Sequence, residues 1–268
     1  ERNQIAVFLS YGTVGILFDC GEGTQRQFKI AGISLQKVTK ILISHWHGDH
    51  VLGIPGLMQT LSSTNYEGTL EIYGPNGTKK RMEKMFEAFV FDKKLDFVVN
   101  EIKEETFFES GDFKIEAYRL EHGIETLGFR FIEKDKRKVD MKKAKKLGIP
   151  EGPLIGKLQQ GHSIEHKGKK IGPDDVTYVE KGKIVAYVTD TILCDGCYKA
   201  AQDADLLICE ATYSSMLVDK SEEYGHMTAK QAGQLANKSN TKQLVLIHFS
   251  ARYKNTQELE EDARNVFD

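Results

Sequence analysis

A seven-residue stretch with four possible metal ligands constrains this chain more than any other feature of its sequence. The stretch is Ser44-His45-Trp46-His47-Gly48-Asp49-His50, and it follows Lys40-Ile41-Leu42-Ile43, an apolar, β-branched run typical of a buried strand. In open α/β sheets, chemistry is concentrated at the carboxyl ends of the strands, where this stretch falls. Imidazole and carboxylate together favour zinc or a similar transition metal. The sequence therefore predicts a metal site on a loop that follows a buried strand.

The spacing of these ligands indicates two ions. Alternate residues of an extended segment face the same way, so His45 and His47 can bind one ion. Asp49 and His50 follow the turn that Gly48 allows and could bind a second. The alternative is a surface cluster of histidines beside a helix-capping aspartate. Histidine is rare here, with 8 in 268 residues, and three of them fall within six positions, which favours the metal site.

Three later residues could complete the coordination of two ions. His122 follows a strand predicted at 113–120, Asp190 follows one at 184–189, and His248 follows one at 244–247. A single histidine at a strand end is most often a hydrogen-bonded residue, but four strand ends with suitable side chains form a coherent set. Because a carboxylate bridges two metals well, Asp190 is the expected bridge.

Two further residues could supply acid chemistry. Glu210 ends a strand predicted at 206–209, and His226 precedes a predicted helix. A histidine held by a carboxylate is a good proton donor near neutral pH. From these residues alone, a helix-capping glutamate and a surface histidine are the favoured interpretation.

Two other motifs are open to more than one interpretation. Residues 19–25 place Asp19 and two glycines after a strand, which fits a tight loop near a site and a simple strand-to-helix turn equally well. Cys194 and Cys197 form a single C-x-x-C motif. Such a motif can be a redox pair, but it lacks the second pair that a structural zinc site needs.

The composition is that of an ordinary globular chain, with 40% hydrophobic and 28% charged residues. Its 268 residues suffice for one large domain or two small ones. No apolar run approaches the roughly 20 residues that span a bilayer, and no signal peptide is visible. Four cysteines do not make a disulfide scaffold. We therefore expect a cytoplasmic protein with no membrane partner.

The net charge of −2 conceals a strong asymmetry along the chain. Residues 133–170 hold 12 basic and 5 acidic residues, for a net charge of +7, whereas the rest of the chain carries −9. This basic arm could be a solvated lysine-rich loop. Loops longer than about 12–15 residues within a compact domain are, however, usually functional or disordered.

The hydrophobic pattern predicts an α/β fold. Strand-rich segments flanked by helices occur in each half, which indicates two packed sheets with helices outside. One helix is expected at about 51–61, directly after the metal-binding stretch, and others at about 78–89 and 229–237. We see no internal repeat.

The predicted ligands carry a family resemblance. His45-x-His47-x-Asp49-His50, with His122, Asp190 and His248, resembles the metallo-β-lactamase superfamily. Within it the chain is most similar to the ribonuclease Z family, short form, and the resemblance covers nearly the whole chain. The segments specific to that family are Phe18-Asp19-Cys20-Gly21-Glu22-Gly23-Thr24-Gln25, Gly48-Asp49-His50-Val51-x-Gly53-x-Pro55-Gly56-Leu57, His122-Gly123-x-Glu125, Gly128-Phe129-Arg130, Glu210-Ala211-Thr212 and His248-x-Ser250-Ala251-Arg252-Tyr253.

The resemblance implies a fold and a reaction. The fold would be one αββα metallo-β-lactamase sandwich over 1–268, with a basic arm inserted at about 133–175 that serves as a tRNA-binding exosite. The enzyme would be a zinc-dependent endoribonuclease and a homodimer. It would remove the 3′ trailer from precursor tRNA and leave a 3′ hydroxyl on the tRNA and a 5′ phosphate on the trailer.

The resemblance also implies a role for each predicted site residue. One zinc ion would take His45, His47 and His122, the other Asp49, His50 and His248, and Asp190 would bridge them. Asp49 would orient the attacking water or accept its proton, and His226 backed by Glu210 would protonate the leaving oxygen. Two other classes remain open: a hydrolase of the same fold acting on a thioester, lactam or small phosphodiester, and a non-catalytic RNA-binding member.

Overall fold

The computed structural model describes residues 3–90 and 94–267. The chain folds into two compact units. The first unit comprises Glu1–Glu109, Ile115–Phe131 and Ile184–Asp268, and the second comprises Ser110–Lys114 and Ile132–Lys183.

The strands of the described residues are, in chain order, β1 (Val7–Tyr11), β2 (Val14–Phe18), β3 (Lys40–Leu42), β4 (Thr69–Gly74), β5 (Asp96–Glu101), β6 (Glu105–Glu109), β7 (Phe113–Glu121), β8 (Glu125–Glu133), β9 (Lys136–Val139), β10 (Ile164–His166), β11 (Lys169–Ile171), β12 (Thr177–Glu180), β13 (Ile184–Val188), β14 (Leu206–Glu210) and β15 (Leu244–Ile247). The helices are α1 (Thr24–Ile30), α2 (Gly48–Val51), α3 (Ile54–Ser63), α4 (Thr78–Glu87), α5 (Met141–Lys146), α6 (Pro153–Gln159), α7 (Pro173–Val176), α8 (Asp195–Ala201), α9 (Val218–Glu223), α10 (Ala229–Lys238) and α11 (Gln257–Arg264).

Two mixed sheets form the centre of the first unit. One has the order β1-β2-β3-β4-β5, with an antiparallel β1–β2 hairpin followed by parallel pairs. The other has the order β15-β14-β13-β8-β7-β6, in which β13, β14 and β15 run parallel. The parallel strands bring their carboxyl ends to one edge of each sheet.

Aromatic rings join the two sheets face to face. Phe18 of β2 stacks on Tyr187 of β13 with ring centroids 5.2 Å apart and lies 6.1 Å from Phe129 of β8. Tyr73 of β4 meets Phe107 of β6 at 4.9 Å. Since these rings belong to different sheets, they form the layer between them.

Helices cover the outer face of each sheet. At the first sheet, Ile41 of β3 lies in one buried cluster with the apolar face of α3. That face consists of Ile54, Leu57, Met58 and Leu61. Against the second, the small residues of α8 and α10, among them Ala200, Ala232 and Ala236, pack on β13 and β14. Helix, sheet, sheet and helix make the αββα sandwich, as the sequence predicts.

The second unit contains the whole basic arm and is folded. Strands β9 and β12 pair antiparallel, and β10 and β11 form a hairpin. The turns and short helices between them enclose a small core of six buried residues, Ala144, Ile149, Leu158, Ile164, Ile171 and Val176. The arm is therefore part of a small module with its own core, and the unit that contains it ends at Lys183.

The structure differs from the sequence expectations in local detail. The expected helix at 51–61 is divided into α2 and α3, with Gly53 between them and Pro55 at the start of α3. A Cβ at Gly53 would lie 2.1 Å from the Gly21 carbonyl oxygen, so this junction needs glycine. Strand β6 was not expected, because its ends are polar and it lies at a sheet edge. No helix among residues 3–90 and 94–267 is long and apolar enough to cross a bilayer.

Candidate metal centre

Strand ends bring the predicted ligands to one place. His45 and His47 follow β3, with Asp49 and His50 in α2, whereas His122 follows β7, Asp190 follows β13 and His248 follows β15. Asp190 and His248 adopt positive φ angles of 47° and 57°. This left-handed conformation is uncommon outside glycine, though Asp and His adopt it more readily than most residues. The backbone at these two strand ends therefore turns sharply.

Four side chains form the first group of candidate ligands. His47 Nδ1 lies 3.1 Å from His45 Nε2 and 3.3 Å from His122 Nε2. Asp190 Oδ2 lies 3.6 Å from the same nitrogen of His45 and 3.9 Å from that of His122. Ligands arranged tetrahedrally about 2.0–2.1 Å from zinc are about 3.3 Å apart, so this spacing fits zinc.

Asp49, His50 and His248 form the second group, and Asp190 presents its other oxygen to it. Asp190 Oδ1 lies 3.3 Å from both His50 Nε2 and His248 Nε2. Asp49 Oδ2 lies 3.7 Å from His50 Nε2 and 3.5 Å from His248 Nε2. The ligand atoms of each group lie within 4.8 Å of one another, and Asp190 places Oδ2 near the first group and Oδ1 near the second.

One buried atom tests whether a cation fits. The Nε2 atom of His50 is buried and makes no well-aligned hydrogen bond among the described residues, although Asp190 Oδ1 lies 3.3 Å away. A buried polar atom without a partner is costly, and a metal ion bound to its lone pair would remove that cost. The donor set and its spacing therefore fit a divalent transition-metal ion.

Asp19 fixes the orientation of His50. Its Oδ2 accepts from the Nδ1–H of His50 at 2.8 Å, from the Tyr187 hydroxyl at 2.7 Å and from the Ser44 hydroxyl at 2.8 Å. When a cation takes the place of the second ring proton, Nδ1 stays protonated and the lone pair of Nε2 faces the second group. A carboxylate behind a metal-binding histidine sets its tautomer in this way. The loop at 19–25 is thus part of the site and not only a turn.

His122 is oriented by a backbone carbonyl. Its Nδ1–H donates to the Gly225 oxygen at 2.8 Å, which leaves Nε2 for the first group. Gly225 has φ of +72°, and a Cβ there would lie 2.7 Å from His122 Nδ1. This close approach requires glycine.

His226 and Glu210 form a pair beside both groups. Glu210 is fully buried at the end of β14, and its Oε2 lies 3.2 Å from His226 Nδ1. The His226 ring lies 5.1 Å from the ring of His122 and stacks 5.3 Å from that of His248. Backbone N–H groups of Thr191 and Met227 also donate to the Glu210 carboxylate, at 2.6 and 3.1 Å. Glu210 is therefore held rigidly behind His226 and does not cap a helix.

The charges of the site explain its pKa shifts. Burial disfavours the charged ring of His50, but the carboxylates of Asp19 and Asp190 outweigh burial and raise its pKa to about 11. Burial likewise lowers the pKa of His248, but the carboxylates of Asp190 and Asp49 outweigh burial and raise it to about 9. The hydrogen bond with His248 lowers the pKa of Asp49 to about 2, despite burial. Ionised carboxylates thus favour positive charge here, which a divalent cation would supply.

His226 differs from His45 and His122 in the direction of its pKa shift. Burial is the largest influence and lowers the pKa of His45 to about 3, and burial also lowers that of His122. At His226 the Glu210 carboxylate outweighs burial and raises the pKa. A raised pKa favours the protonated ring, which is the form that a proton donor needs.

The structure identifies Thr212 as a further residue of the site. From the sequence alone, this residue had no predicted chemical role. Its hydroxyl lies 2.6 Å from Glu210 Oε2 and 2.9 Å from His248 Nδ1. The hydroxyl has one proton, so it donates to the carboxylate and accepts from the Nδ1–H of His248. Thr212 therefore links the second ligand group to the Glu210–His226 pair.

We expect Thr212→Val to weaken metal binding at the second group, since it removes the acceptor that orients His248 without changing side-chain size. Loss of such a partner typically costs about 10–100-fold in metal affinity or activity. Calorimetric titration of metal-free protein with Zn²⁺ measures the change. Thr212→Ser restores the hydroxyl and serves as the control. Equal affinities for the valine variant and wild type would show that Thr212 does not orient His248.

Comparison with known proteins reveals related sequences. A family model described as "Beta-lactamase superfamily domain" matches residues 15–139. A protein named ribonuclease Z from Methanothermobacter thermautotrophicus is 39% identical over 268 residues, covering 100% of this chain and 87% of that protein. Ribonuclease Z from Archaeoglobus fulgidus is 40% identical over 273 residues, covering 100% and 89%.

Solved structures resemble the chain in fold. The crystal structure of human tRNase Z, short form, aligns with a TM-score of 0.70 and 29% identity, over 95% of this chain and 88% of that one. The metallo-β-lactamase fold protein YhfI from Bacillus subtilis aligns with a TM-score of 0.69, over 100% and 86%, but is only 19% identical and supports the fold alone.

Proposed function

Because this chain belongs to the ribonuclease Z family of metal-dependent endoribonucleases, we propose that it removes the 3′ trailer of precursor tRNA with two zinc ions. The observation that carries the proposal is the convergence of two ligand groups on Asp190, next to a carboxylate-backed histidine. A hydrolase of a small substrate needs the ligand groups. It has less use for a proton donor aimed at a poor leaving group, or for an arm of charge +7.

We assign the metal ligands as follows. His45, His47 and His122 would hold one ion, Asp49, His50 and His248 would hold the other, and Asp190 would contribute an oxygen to each. Zinc bound there would lower the pKa of a water and stabilise negative charge on the phosphate. Asp49 is half-exposed, with a side chain 40% accessible, so its carboxylate can reach a water molecule as well as the second group. Its role is to orient the attacking water and accept its proton.

The leaving group needs a proton. Attack on phosphorus breaks the bond to the 3′ oxygen of the tRNA body, an alkoxide that leaves poorly unless it is protonated. Glu210 binds Nδ1 of His226, so Nε2–H is the group left to donate. The expected products are a tRNA with a 3′ hydroxyl and a trailer with a 5′ phosphate.

Cleavage of a 3′-extended precursor tRNA, with both product ends mapped, tests this proposal. A 5′-phosphorylated trailer that appears only with zinc supports it. Hydrolysis of a thioester or lactam without RNA cleavage would favour another hydrolase of the fold. RNA binding without cleavage by zinc-saturated protein would favour a non-catalytic role. Light scattering of the same sample tests the proposed homodimer.

We further propose that the arm captures tRNA through its phosphates. Its lysines on α5, including Lys142, Lys143 and Lys146, are exposed, and Asp140 caps that helix through the backbone N–H groups of Lys142 and Lys143. Each phosphate that a lysine neutralises increases the salt dependence of binding.

Excision of the arm is expected to weaken precursor-tRNA binding sharply and to flatten its salt dependence. The Glu133 N–H donates to the Lys183 oxygen at 2.9 Å, so a two-residue Asn-Gly turn can replace residues 134–182. Hydrolysis of bis(p-nitrophenyl) phosphate should survive, because that small substrate needs only the metal centre. Equal loss of both activities in folded, zinc-loaded protein would instead mean that the arm supports the centre.

A charge-matched pair of variants refines this test. The variant Lys142→Gln/Lys143→Gln/Lys146→Gln should reduce the salt slope by about 0.7–0.9 per lost phosphate contact. The control is Lys79→Gln/Lys80→Gln/Lys84→Gln, which removes the same charge from exposed positions of α4 in the first unit. If the two variants show identical salt slopes, the arm affects binding only through the net charge of the protein.

A further inference from the structure

The C-x-x-C motif has no part in the proposed reaction, yet its two sulfur atoms are close together. Cys194 Sγ and Cys197 Sγ lie 3.6 Å apart, with both thiols free. Cys194 lies just before α8 and Cys197 lies in its first turn. A disulfide requires a sulfur separation of about 2.05 Å, which these sulfurs can reach by moving about 1.5 Å together.

We propose that Cys194 and Cys197 form a redox-active dithiol that closes reversibly to a disulfide, with Cys194 as the nucleophile and Cys197 as the resolving thiol. The assignment follows from exposure: Cys194 is 8% exposed, whereas the other three cysteines, Cys20, Cys197 and Cys209, are 0% exposed. An attacking thiol must reach a soluble oxidant, and a resolving thiol need only reach its partner.

The surroundings of the pair support the same assignment. The Cys197 thiol and nearby backbone N–H groups outweigh burial and lower the pKa of Cys194 to about 6. Cys197 is shifted the opposite way, since it gives its hydrogen bond to Cys194 and is buried. Burial raises the pKa of Cys20 to about 12 and raises that of Cys209 well above its ordinary value. Only thiolates attack disulfides, so Cys194 is the reactive thiol of the four.

The exchange balances with oxidised glutathione as the oxidant. The Cys194 thiolate attacks one sulfur of glutathione disulfide, forms a mixed disulfide and releases one glutathione thiolate. The Cys197 thiol then loses its proton to solvent and attacks the Cys194 sulfur, which releases the second glutathione. The protein loses two electrons, and glutathione disulfide gains them.

The pair is connected to the metal centre through Thr191. Cys194 Sγ contacts the Thr191 hydroxyl at 3.8 Å, and the Thr191 N–H donates to Glu210 Oε1 at 2.6 Å. That hydroxyl also accepts from the N–H of Glu121, the residue before His122, at 3.0 Å. Because Thr191 directly follows Asp190, movement of the Cys194 sulfur disturbs a turn that supports three parts of the site. We expect the disulfide to slow catalysis.

Mass spectrometry of the zinc-loaded protein tests the disulfide independently of the proposed RNA cleavage. After equilibration over a range of reduced-to-oxidised glutathione ratios, the wild type should lose two hydrogens, mapped to the peptide that contains both cysteines. Cys194→Ser and Cys197→Ala should not form this bridge. In the reduced native protein, iodoacetamide should label Cys194 first, while Cys20 and Cys209 remain unlabelled as internal controls. A pair that stays reduced at every ratio would overturn the proposal.

Activity of the same samples tests the connection to the centre. Oxidation should slow precursor-tRNA cleavage by about tenfold or more, since a displacement of about 1 Å at a catalytic site can cost up to about 10²-fold. Reduction should restore the rate, and Cys197→Ala should be active and insensitive to glutathione disulfide. None of the assigned metal ligands is a cysteine, so zinc content should not change. Equal rates for reduced and fully oxidised wild type would refute the connection.

Discussion

Asp49→Ala should abolish precursor-tRNA cleavage while the protein remains folded. The carboxylate lies 3.5 Å from His248 Nε2 and 3.7 Å from His50 Nε2, and we assign it to both metal binding and water orientation. Loss of both roles removes several kcal/mol of transition-state stabilisation, which is a rate reduction of about 10³-fold or more. Single-turnover cleavage at saturating zinc measures this reduction.

Folding should tolerate the Asp49 change because the side chain is half-exposed. The thermal unfolding midpoint should therefore stay near that of the wild type under the same zinc concentration. Asp219→Ala, the same change at an exposed carboxylate in α9, is the matched control and should cleave normally. Near-normal turnover by zinc-saturated Asp49→Ala would refute the assignment.

His226→Ala should slow cleavage by about 10²–10⁴-fold, the usual contribution of a general acid, and should leave zinc content unchanged. The ring is held by the buried Glu210 carboxylate, which raises its pKa, and it stacks beside His248. Glu210→Gln should lower the rate in the same direction, because a neutral amide no longer favours the protonated ring.

Two measurements distinguish a proton donor from a ligand at His226. Asp190, His226 and His248 also have ligand atoms within 4.8 Å of one another, so loss of zinc from His226→Ala would identify it as a ligand. A substrate with a much better leaving group needs less protonation and should be less affected. An equal rate loss with that substrate would argue against proton donation.

The αββα fold and the strand-end position of the ligands were predictable because both follow from local patterns. Strands such as β15 are continuous apolar runs, and ligands directly after them project from one sheet edge. Strand β15 has the residue range expected from the sequence. The strand-end positions of His122, Asp190 and His248 grouped them with the first stretch, and the resemblance supplied their division between two ions.

Other parts of the site could not be predicted because they depend on long-range contacts. The Asp19 carboxylate meets the Tyr187 hydroxyl across 168 residues, and the Thr212 hydroxyl meets His248 across 36. Neither contact could be predicted from the spacing of its two residues in the sequence. The short elements of the arm were also missed, since α5 has only one buried residue, Ala144, and its lysines indicate a solvated segment.

The division of the 51–61 helix has a similar cause. Gly53 approaches the Cys20–Gly21 backbone, which is distant in sequence, and that contact interrupts the helix. The local apolar pattern continues through the break and therefore predicts one helix.

The most direct test is to titrate zinc into metal-free protein while following cleavage of a 3′-extended precursor tRNA. If two ions act together through Asp190, cleavage should appear mainly as the second equivalent binds, and Asp190→Ala should remain inactive at any zinc concentration. Full cleavage with one equivalent or none, or no cleavage at two equivalents, would contradict a two-ion ribonuclease centre.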